Sequence, residues 1–248
     1  MMTTIMIASA LAGCAGDDVD LDGEDGGYEY ASNVDNHRML MGDVCDIKDL
    51  SGAYDWDEVS DIYENGKYAE KSDGSYRTLE GFASASGKNH AYDTYYGSDG
   101  SWDTFVSAAI SGTGPFAGES NTVRDQAVEK GIQNGVMTAY AIHELNAAII
   151  KAEAGNWGAD DAQHAWDEGW AFYHGPDDSD HDFDGCGPYA TADKRAGNFG
   201  TANSAGTAAT NVATLAAMNA GLTAMQNEDM QGLVDARDEV LKNIIIVY

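Results

Sequence analysis

The segment from 121 to 154 constrains the fold most, because it lacks proline and repeats apolar residues at helical spacing. Apolar side chains recur every three or four positions, at Val128, Ile132, Val136, Ala139, Ile142, Leu145 and Ile149. This spacing places them on one face of a long amphipathic helix. A helix of this length must bury its apolar face against other elements, and those elements decide the fold class.

The rest of the chain is also typical of helices. Only three prolines occur, so long intervals are free to form helices. Further helices are predicted over 55–65, 77–85, 101–111, 159–174, 206–226 and 229–247. No alternating run of apolar and polar residues indicates a strand. The predicted fold is therefore all-α, a helical bundle with long irregular loops that include 86–100.

Residues 1–14 are predicted to be an export signal. The apolar run ends in Leu11-Ala12-Gly13-Cys14 and is too short to span a bilayer. It resembles the lipobox of bacterial lipoproteins, in which the signal is cut before a cysteine that carries lipid, although no Lys or Arg precedes it. We therefore expect lipidation at Cys14, an acidic Gly/Asp-rich tether over 15–45, and one helical domain over 46–248. This arrangement predicts a membrane-anchored lipoprotein of the periplasm or cell surface.

The two remaining cysteines, Cys45 and Cys186, form an even pair in an oxidising compartment. A disulfide between them would close a long loop and stabilise the chain by roughly 4 kcal/mol. Two buried free thiols are the alternative.

The net charge of the chain limits the classes of partner that it can bind. Asp and Glu number 42 against 13 Lys and Arg, which gives a formal net charge of −29. Nucleic acid is excluded, because its phosphates require Lys and Arg to replace their counterions. An anionic membrane surface is disfavoured for the same reason. A solvated surface in salty water and the capture of cations both remain compatible with this charge.

Several polar residues lie at positions where they could bind a metal. With Val128 as zero and about 100° per residue, His143 falls near 60° and Asn146 near 0°, towards the core, and Glu144 near 160°. His143 and Asn146 are therefore either a satisfied core pair or part of a binding site. His164 and Glu168 share a helix face, and they predict either a metal-binding pair or a surface pair.

The loop over 67–77 and two Asp-rich segments suggest ion sites. Three of the basic residues, Lys67, Lys71 and Arg77, lie in that loop beside hydroxyl groups, which indicates an anion site or a charged surface loop. One calcium-loop pattern is complete and a second begins the same way. Their Asp residues are Asp18, Asp20 and Asp22 in the first, and Asp180, Asp182 and Asp184 in the second.

No motif of a covalent or metal-dependent enzyme is present. The chain lacks the patterns G-x-S-x-G, G-x-G-x-x-G, H-E-x-x-H and C-x-x-C and the phosphate-binding P-loop. We therefore expect a binding protein that is not an enzyme.

Three strings indicate a family. IYENGK over 62–67, KSDGSYRTL over 71–79 and DEGWAFYHG over 167–175 resemble the algal iron-assimilating (Fea-type) proteins and the related phytotransferrins. The resemblance covers roughly residues 50–245. It implies an exported protein that binds ferric iron, in phytotransferrins together with carbonate.

The resemblance also implies site residues. Ferric iron is a hard cation that favours phenolate and carboxylate oxygen and accepts imidazole, and carbonate needs Arg or Lys and hydroxyl donors. The expected metal ligands are Tyr63, His143, Glu168 and Tyr173, and the expected anion site is Lys67, Ser72 and Arg77.

The predicted function is ferric iron capture for assimilation by a lipid-anchored protein, with (bi)carbonate as a candidate synergistic anion. The iron would pass to a transporter or a reductase. Two alternatives are a calcium-stabilised surface lipoprotein without a transport role, and a metal-dependent hydrolase built on His143 and Glu168.

Overall fold

The predicted all-α fold is confirmed. A computed structural model of the chain describes residues 21, 23–88, 90–177, 181, 183 and 185–247. The described elements are β1 (Glu24–Asp25), β2 (Tyr28–Glu29), α1 (Asp35–Arg38), α2 (Leu40–Ala53), α3 (Trp56–Asn65), α4 (Leu79–Ser84), α5 (Ala91–Tyr96), α6 (Ser101–Ser111), α7 (Asn121–Lys130), α8 (Thr138–Glu153), α9 (Ala162–His174), α10 (Pro188–Phe199), α11 (Ala209–Gln226) and α12 (Met230–Val247). A 3₁₀ turn at Gly114–Phe116 and a π-helical segment at Gly131–Met137 complete them.

Two helical hairpins form the centre of the molecule. The helices α8 and α9 pack along each other, as do α11 and α12, and α12 also contacts α8. The side chains of Trp166 and Trp170 on α9 are fully buried between these hairpins. The ring nitrogen of Trp166 donates to the Met218 carbonyl on α11, and that of Trp170 donates to the Asp25 carbonyl on β1. The helix α9 is therefore the central element, and the remaining elements are arranged around it.

The long helix predicted over 121–154 is interrupted. Between α7 and α8, the residues Gly131–Met137 form a π-helical segment. Its hydrogen bonds take one additional residue into the turn, so every later side chain is set back by about 100°. This shift corrects the prediction that Glu144 points away from the core. The glycines suit the close packing here, since a Cβ on Gly135 would lie 2.6 Å from the Trp102 ring on α6.

The structure contradicts the tether predicted over 15–45 for residues 23–45. The hairpin of β1 and β2, the helix α1 and the first half of α2 all belong to the folded domain. Tyr28 is fully buried, and its hydroxyl donates to Asp167 on α9. Asp25 is also fully buried, and an ion pair with Arg38 compensates its charge. The acidic residues here are partnered inside the protein, so their abundance did not indicate a solvated segment.

Four helices were not predicted, and one of them carries half of a disulfide. The helices α1, α2, α5 and α10 were absent from the predicted set, and α5 lies in the region expected to be irregular. Cys45 on α2 and Cys186, just before α10, are joined by a disulfide. The bond connects the N-terminal part of the domain to the segment that follows α9.

The helix α2 also buries a carboxyl group, that of Asp43, which is fully inaccessible to solvent. One oxygen accepts the backbone N–H groups of Lys67 and Tyr68, each at 3.1 Å. The other, Oδ2, has no hydrogen-bond partner among the described residues. Burial raises the pKa of Asp43 from 3.8 to about 7, although the two backbone N–H groups oppose this. A protonated Asp43 therefore fits the site better than an ionised one.

Asp43 is expected to make folding depend on pH. The folded pKa lies above the unfolded value, so its contribution to stability is complete below about pH 4 and is lost as pH rises through about 7. The wild-type free energy of unfolding should fall by about 2–4 kcal/mol over this interval relative to that of Asp43→Asn. Denaturant unfolding of both proteins at several pH values measures the difference. An Asn variant that keeps the full wild-type dependence would contradict this role.

Candidate functional site

An open cavity lies where α1, α4, α8 and α9 meet. Its volume is about 370 Å³. It is lined by His37, Lys71, Tyr76, Arg77, Thr78, Gly81, Phe82, Lys88, Tyr140, Glu144 and Glu168. Three of these eleven side chains are basic, in a chain that has only 13 Lys and Arg. The cavity therefore concentrates positive charge in a strongly acidic protein.

Two glutamates, Glu144 from α8 and Glu168 from α9, meet at the cavity. Their side chains are only 12% and 14% exposed and share a hydrogen bond. A hydrogen bond between two carboxyl groups requires one of them to hold a proton. Burial and the neighbouring charge of Glu168 raise the pKa of Glu144, so the proton resides there at neutral pH. Burial also acts to raise the pKa of Glu168, but hydrogen bonds and nearby histidines outweigh it and lower that pKa.

Two histidines contact the same oxygen of Glu168. The Nε2 atoms of His37 and His164 lie 3.1 Å and 3.2 Å from Oε1. Burial lowers the pKa of His37 to about 4, so the ring is neutral at pH 7 and its Nε2–H donates to the carboxylate. The Nδ1 atom is then a bare acceptor, and it is buried without a partner among the residues described.

A hydrogen bond to Ser32 orients the ring of His164. Its Nδ1 lies 2.9 Å from the hydroxyl of Ser32, which donates to Asp167 at 2.7 Å. Since that hydroxyl proton is committed to the carboxylate, Ser32 accepts from Nδ1–H. Nε2–H then donates to Glu168, so the ring carries both protons and a positive charge, and the hydrogen bond to Glu168 raises the pKa of His164. Asp167 also accepts the backbone N–H groups of Ala31 and Ser32. The segment that precedes α1 thus forms the supporting layer of the cavity wall.

Two of the basic side chains of the cavity, Arg77 and Lys88, contact neutral groups. Arg77 donates from Nε to the Asn36 side chain at 2.7 Å. The ammonium group of Lys88 lies 3.4 Å from Nε2 of His143 and over the ring of Tyr140. Within the described part of the chain, no carboxylate oxygen lies within 4.0 Å of a charged nitrogen of Lys71, Arg77 or Lys88. They form no ion pair there, although the charges of Arg77 and Lys88 interact with the glutamate pair that lines the same cavity.

The four predicted metal ligands are not brought together. Glu168 lines the cavity, and His143 lies at its edge with Nε2 3.8 Å from Glu144. Tyr63 is buried elsewhere and its hydroxyl donates to Asp103 at 3.1 Å. Tyr173 is buried too, and its hydroxyl donates to Asn211 at 2.6 Å. Both tyrosines are core residues that use their hydroxyl groups for internal hydrogen bonds.

The predicted anion residues divide in a similar way. Arg77 lines the cavity. The ammonium group of Lys67 instead pairs with Asp46 at 2.5 Å, and Ser72 is exposed in its turn. Lys71 and Lys88 take the places beside Arg77. Lys88 could have been recognised from the sequence as a candidate site residue, because basic residues are rare in so acidic a chain. No feature of the sequence indicated His37, which lies in the segment that was predicted to be a tether.

Several predicted features lie outside the described residues. They are the lipidation residue Cys14, the first calcium loop at Asp18, Asp20 and Asp22, and the second at Asp180, Asp182 and Asp184. Within the described ranges, no group of three or more His, Cys, Asp or Glu side chains is arranged to hold a metal ion. No helix in the described part of the chain is both long enough and apolar enough to cross a membrane.

Comparison with known proteins gives one match. The model of the Fea1 family, described as low iron-inducible periplasmic protein, matches residues 3–244. No curated protein and no solved structure matches the chain. The matched range includes every residue that lines the cavity.

Proposed function

Because this chain belongs to the Fea1 family of low iron-inducible periplasmic proteins, we propose that it captures ferric iron outside the cytoplasm, at Glu144 and Glu168. The family supports a role in iron assimilation, and the cavity offers a site of suitable chemistry. Ferric iron is a hard cation that prefers oxygen ligands, which the two carboxyl groups supply. The protein would then pass the iron to a transporter or a reductase without performing chemistry on it.

The meeting of two mostly buried carboxyl groups at one cavity is the observation that carries this proposal. Two buried carboxylates in contact repel each other, so one of them must be neutralised. A proton does this in the metal-free protein, and a cation placed between the two groups would do so more strongly. His37 and His164 donate to Oε1 of Glu168 and so hold the carboxylate in position.

The basic side chains support a role for an accompanying anion. Arg77 has its terminal nitrogens available beside the glutamate pair, and a guanidinium group binds planar oxyanions through two parallel hydrogen bonds. In this proposal (bi)carbonate occupies the position that the family resemblance implies, with Lys71 and Lys88 in place of Lys67 and Ser72. The site uses no tyrosine from the predicted ligand set.

A ferric titration of the metal-free, tag-free protein, with and without bicarbonate, tests the proposal. We expect saturable binding of one iron per chain. Tyr63→Phe and Tyr173→Phe should each bind iron within about threefold of the wild type, because both hydroxyl groups are used elsewhere. A large loss of iron affinity in either variant would indicate that the replaced tyrosine is an iron ligand. Binding no tighter than that of an unrelated acidic protein would reject iron capture.

We also propose that the exported protein carries lipid at Cys14. The lipobox-like string before this residue supports the proposal. Expressed in a bacterium with a lipoprotein-processing pathway, the wild type is expected in the membrane fraction and to incorporate labelled fatty acid. Cys14→Ser should lose the label and leave that fraction, while the disulfide variant Cys45→Ser/Cys186→Ser keeps the label. Labelling that persists in Cys14→Ser would exclude this anchor.

A further inference from the structure

The cavity is much larger than an iron ion with one small oxyanion requires. Its volume of about 370 Å³ lies within the range of about 300–1,000 Å³ that is typical of small-molecule pockets. Iron with carbonate has only five non-hydrogen atoms. The glutamate pair forms one part of the lining, and Lys71, Tyr76 and Arg77 form another. The space between them suits a compact organic anion.

The charges of the lining also favour such an anion. Even if both glutamates are ionised, the three basic side chains exceed them by one positive charge. A ferric ion would raise this excess by three more charges inside a partly buried space, where charges of like sign repel strongly. A partner with several negative charges would balance this excess more fully than a single carbonate, which supplies at most two.

The basic side chains of the cavity form no ion pair with a carboxylate among the described residues. Outside the cavity the pattern is mixed, since Lys67 and Lys242 pair with a carboxylate at 2.5–2.9 Å whereas Lys48 and Lys151 donate to backbone carbonyls. In the cavity, Lys88 lies against an imidazole and an aromatic ring, and Arg77 donates to a neutral amide. Their free N–H groups have the geometry and charge to bind carboxylates brought by a ligand.

The orphaned nitrogen of His37 adds a polar acceptor to the same wall. The side chain of His37 is about nineteen-twentieths buried, and its Nδ1 has no partner among the described residues. A hydroxyl group of a bound organic anion could donate to this atom, as could the single hydroxyl group of bicarbonate, whereas carbonate and a bare metal ion could not. The lining thus offers sites for a metal, for carboxylates and for a hydroxyl donor.

From these observations we propose that the cavity receives iron as a ferric complex of a small hydroxy-polycarboxylate, with the metal at Glu144 and Glu168 and the free carboxylates at Lys71, Arg77 and Lys88. This inference rests on the proposed function of iron capture, and it assigns the anion position given there to (bi)carbonate to the carboxylates of the organic ligand that arrives with the iron. The protein would provide two oxygen ligands, and the organic anion would retain the others.

Equilibrium dialysis with doubly labelled ferric citrate tests the inference, since iron and citrate are counted separately. We expect bound iron and bound citrate in a ratio near one. Ferric citrate should also bind at least about tenfold more tightly than ferric iron supplied with bicarbonate alone, and more tightly than citrate without iron. The double variant Lys71→Gln/Lys88→Gln should lose this advantage. Lys67→Gln, which removes a charge outside the cavity, should keep it.

The outcomes separate this inference from the proposed function. Iron that binds without retaining citrate, or with equal affinity from both sources, would overturn the inference and leave iron capture intact. Citrate that binds equally well without iron would also overturn it, because the cavity would then be a simple anion site. No binding of iron from either source would reject the proposed function itself.

Discussion

Glu168→Gln is expected to weaken ferric iron binding by at least about 100-fold. Loss of a residue that merely orients a metal ligand typically costs about 10–100-fold, and Glu168 is proposed to be a ligand itself. The amide retains the size of the side chain but removes the charge that His37 and His164 contact. Iron titration in a competing chelator of known affinity measures the change.

The matched control for this variant is Glu153→Gln. Glu153 is an exposed carboxylate at the end of α8, so its replacement removes one negative charge without altering the cavity. We expect the wild-type affinity within about twofold, because exposed charges at a distance are screened by salt. Circular dichroism of both variants checks that the helices are intact. If Glu168→Gln bound iron as well as Glu153→Gln, the glutamate pair would not be the site.

Arg38→Met is expected to lower the free energy of unfolding by about 3–5 kcal/mol, because it leaves a buried carboxylate without its partner. Arg38 and Asp25 are both almost completely buried and are joined by two hydrogen bonds of 2.6–2.7 Å. Arg38 also binds Asp35 at 3.0 Å and lies over the ring of Tyr30. The variant therefore leaves two acidic groups uncompensated. Denaturant unfolding at neutral pH measures the loss.

Two comparisons identify the cause of that loss. Lys242→Met removes a cation from an exposed pair with Glu239 and should change stability by no more than about 1 kcal/mol. Adding Asp25→Asn to Arg38→Met should restore part of the loss, because the unpaired charge is then absent. A decrease for Arg38→Met no larger than that for Lys242→Met would show that this pair does not hold the N-terminal segment in place.

The fold class followed from sequence because burial of an apolar face dominates the positions of α8 and α9. The periodicity could not reveal the π-helical segment, since Ile132 and Val136 within it keep the apolar spacing of a regular helix. One additional residue in that turn was enough to move Glu144 from a predicted outward position into the cavity. A side chain central to the proposed site was therefore missed through a local change of helical phase.

The N-terminal segment was misjudged for a different reason. Acidic and glycine-rich composition is typical of a solvated tether, but composition does not show which charges are paired. Asp25 and Asp35 are compensated by Arg38, and Tyr28 reaches Asp167 across 139 positions of sequence. The contact between Tyr28 and Asp167 joins residues far apart in sequence, so it cannot be predicted from local secondary-structure propensity. Because this segment was predicted to be a tether, His37 was not considered as a site residue.

The residues suggested by family resemblance were partly placed in the cavity. Glu168 and Arg77 line it, whereas Tyr63 and Tyr173 donate to Asp103 and Asn211 in the interior. Residue type alone pointed to tyrosine, because phenolate is a good ligand for ferric iron. Only the packing of α3 and α9 shows that these two hydroxyl groups are used elsewhere.

The central claim is that iron binds between Glu144 and Glu168, and anomalous X-ray scattering from crystals of the iron-loaded protein tests it most directly. Data collected on either side of the iron absorption edge locate the metal without reference to the proposed ligands. We predict one strong peak in the cavity, at metal–oxygen bonding distance from both carboxyl groups. A peak beside Tyr63 or Tyr173, or at an acidic surface cluster with none in the cavity, would contradict the account.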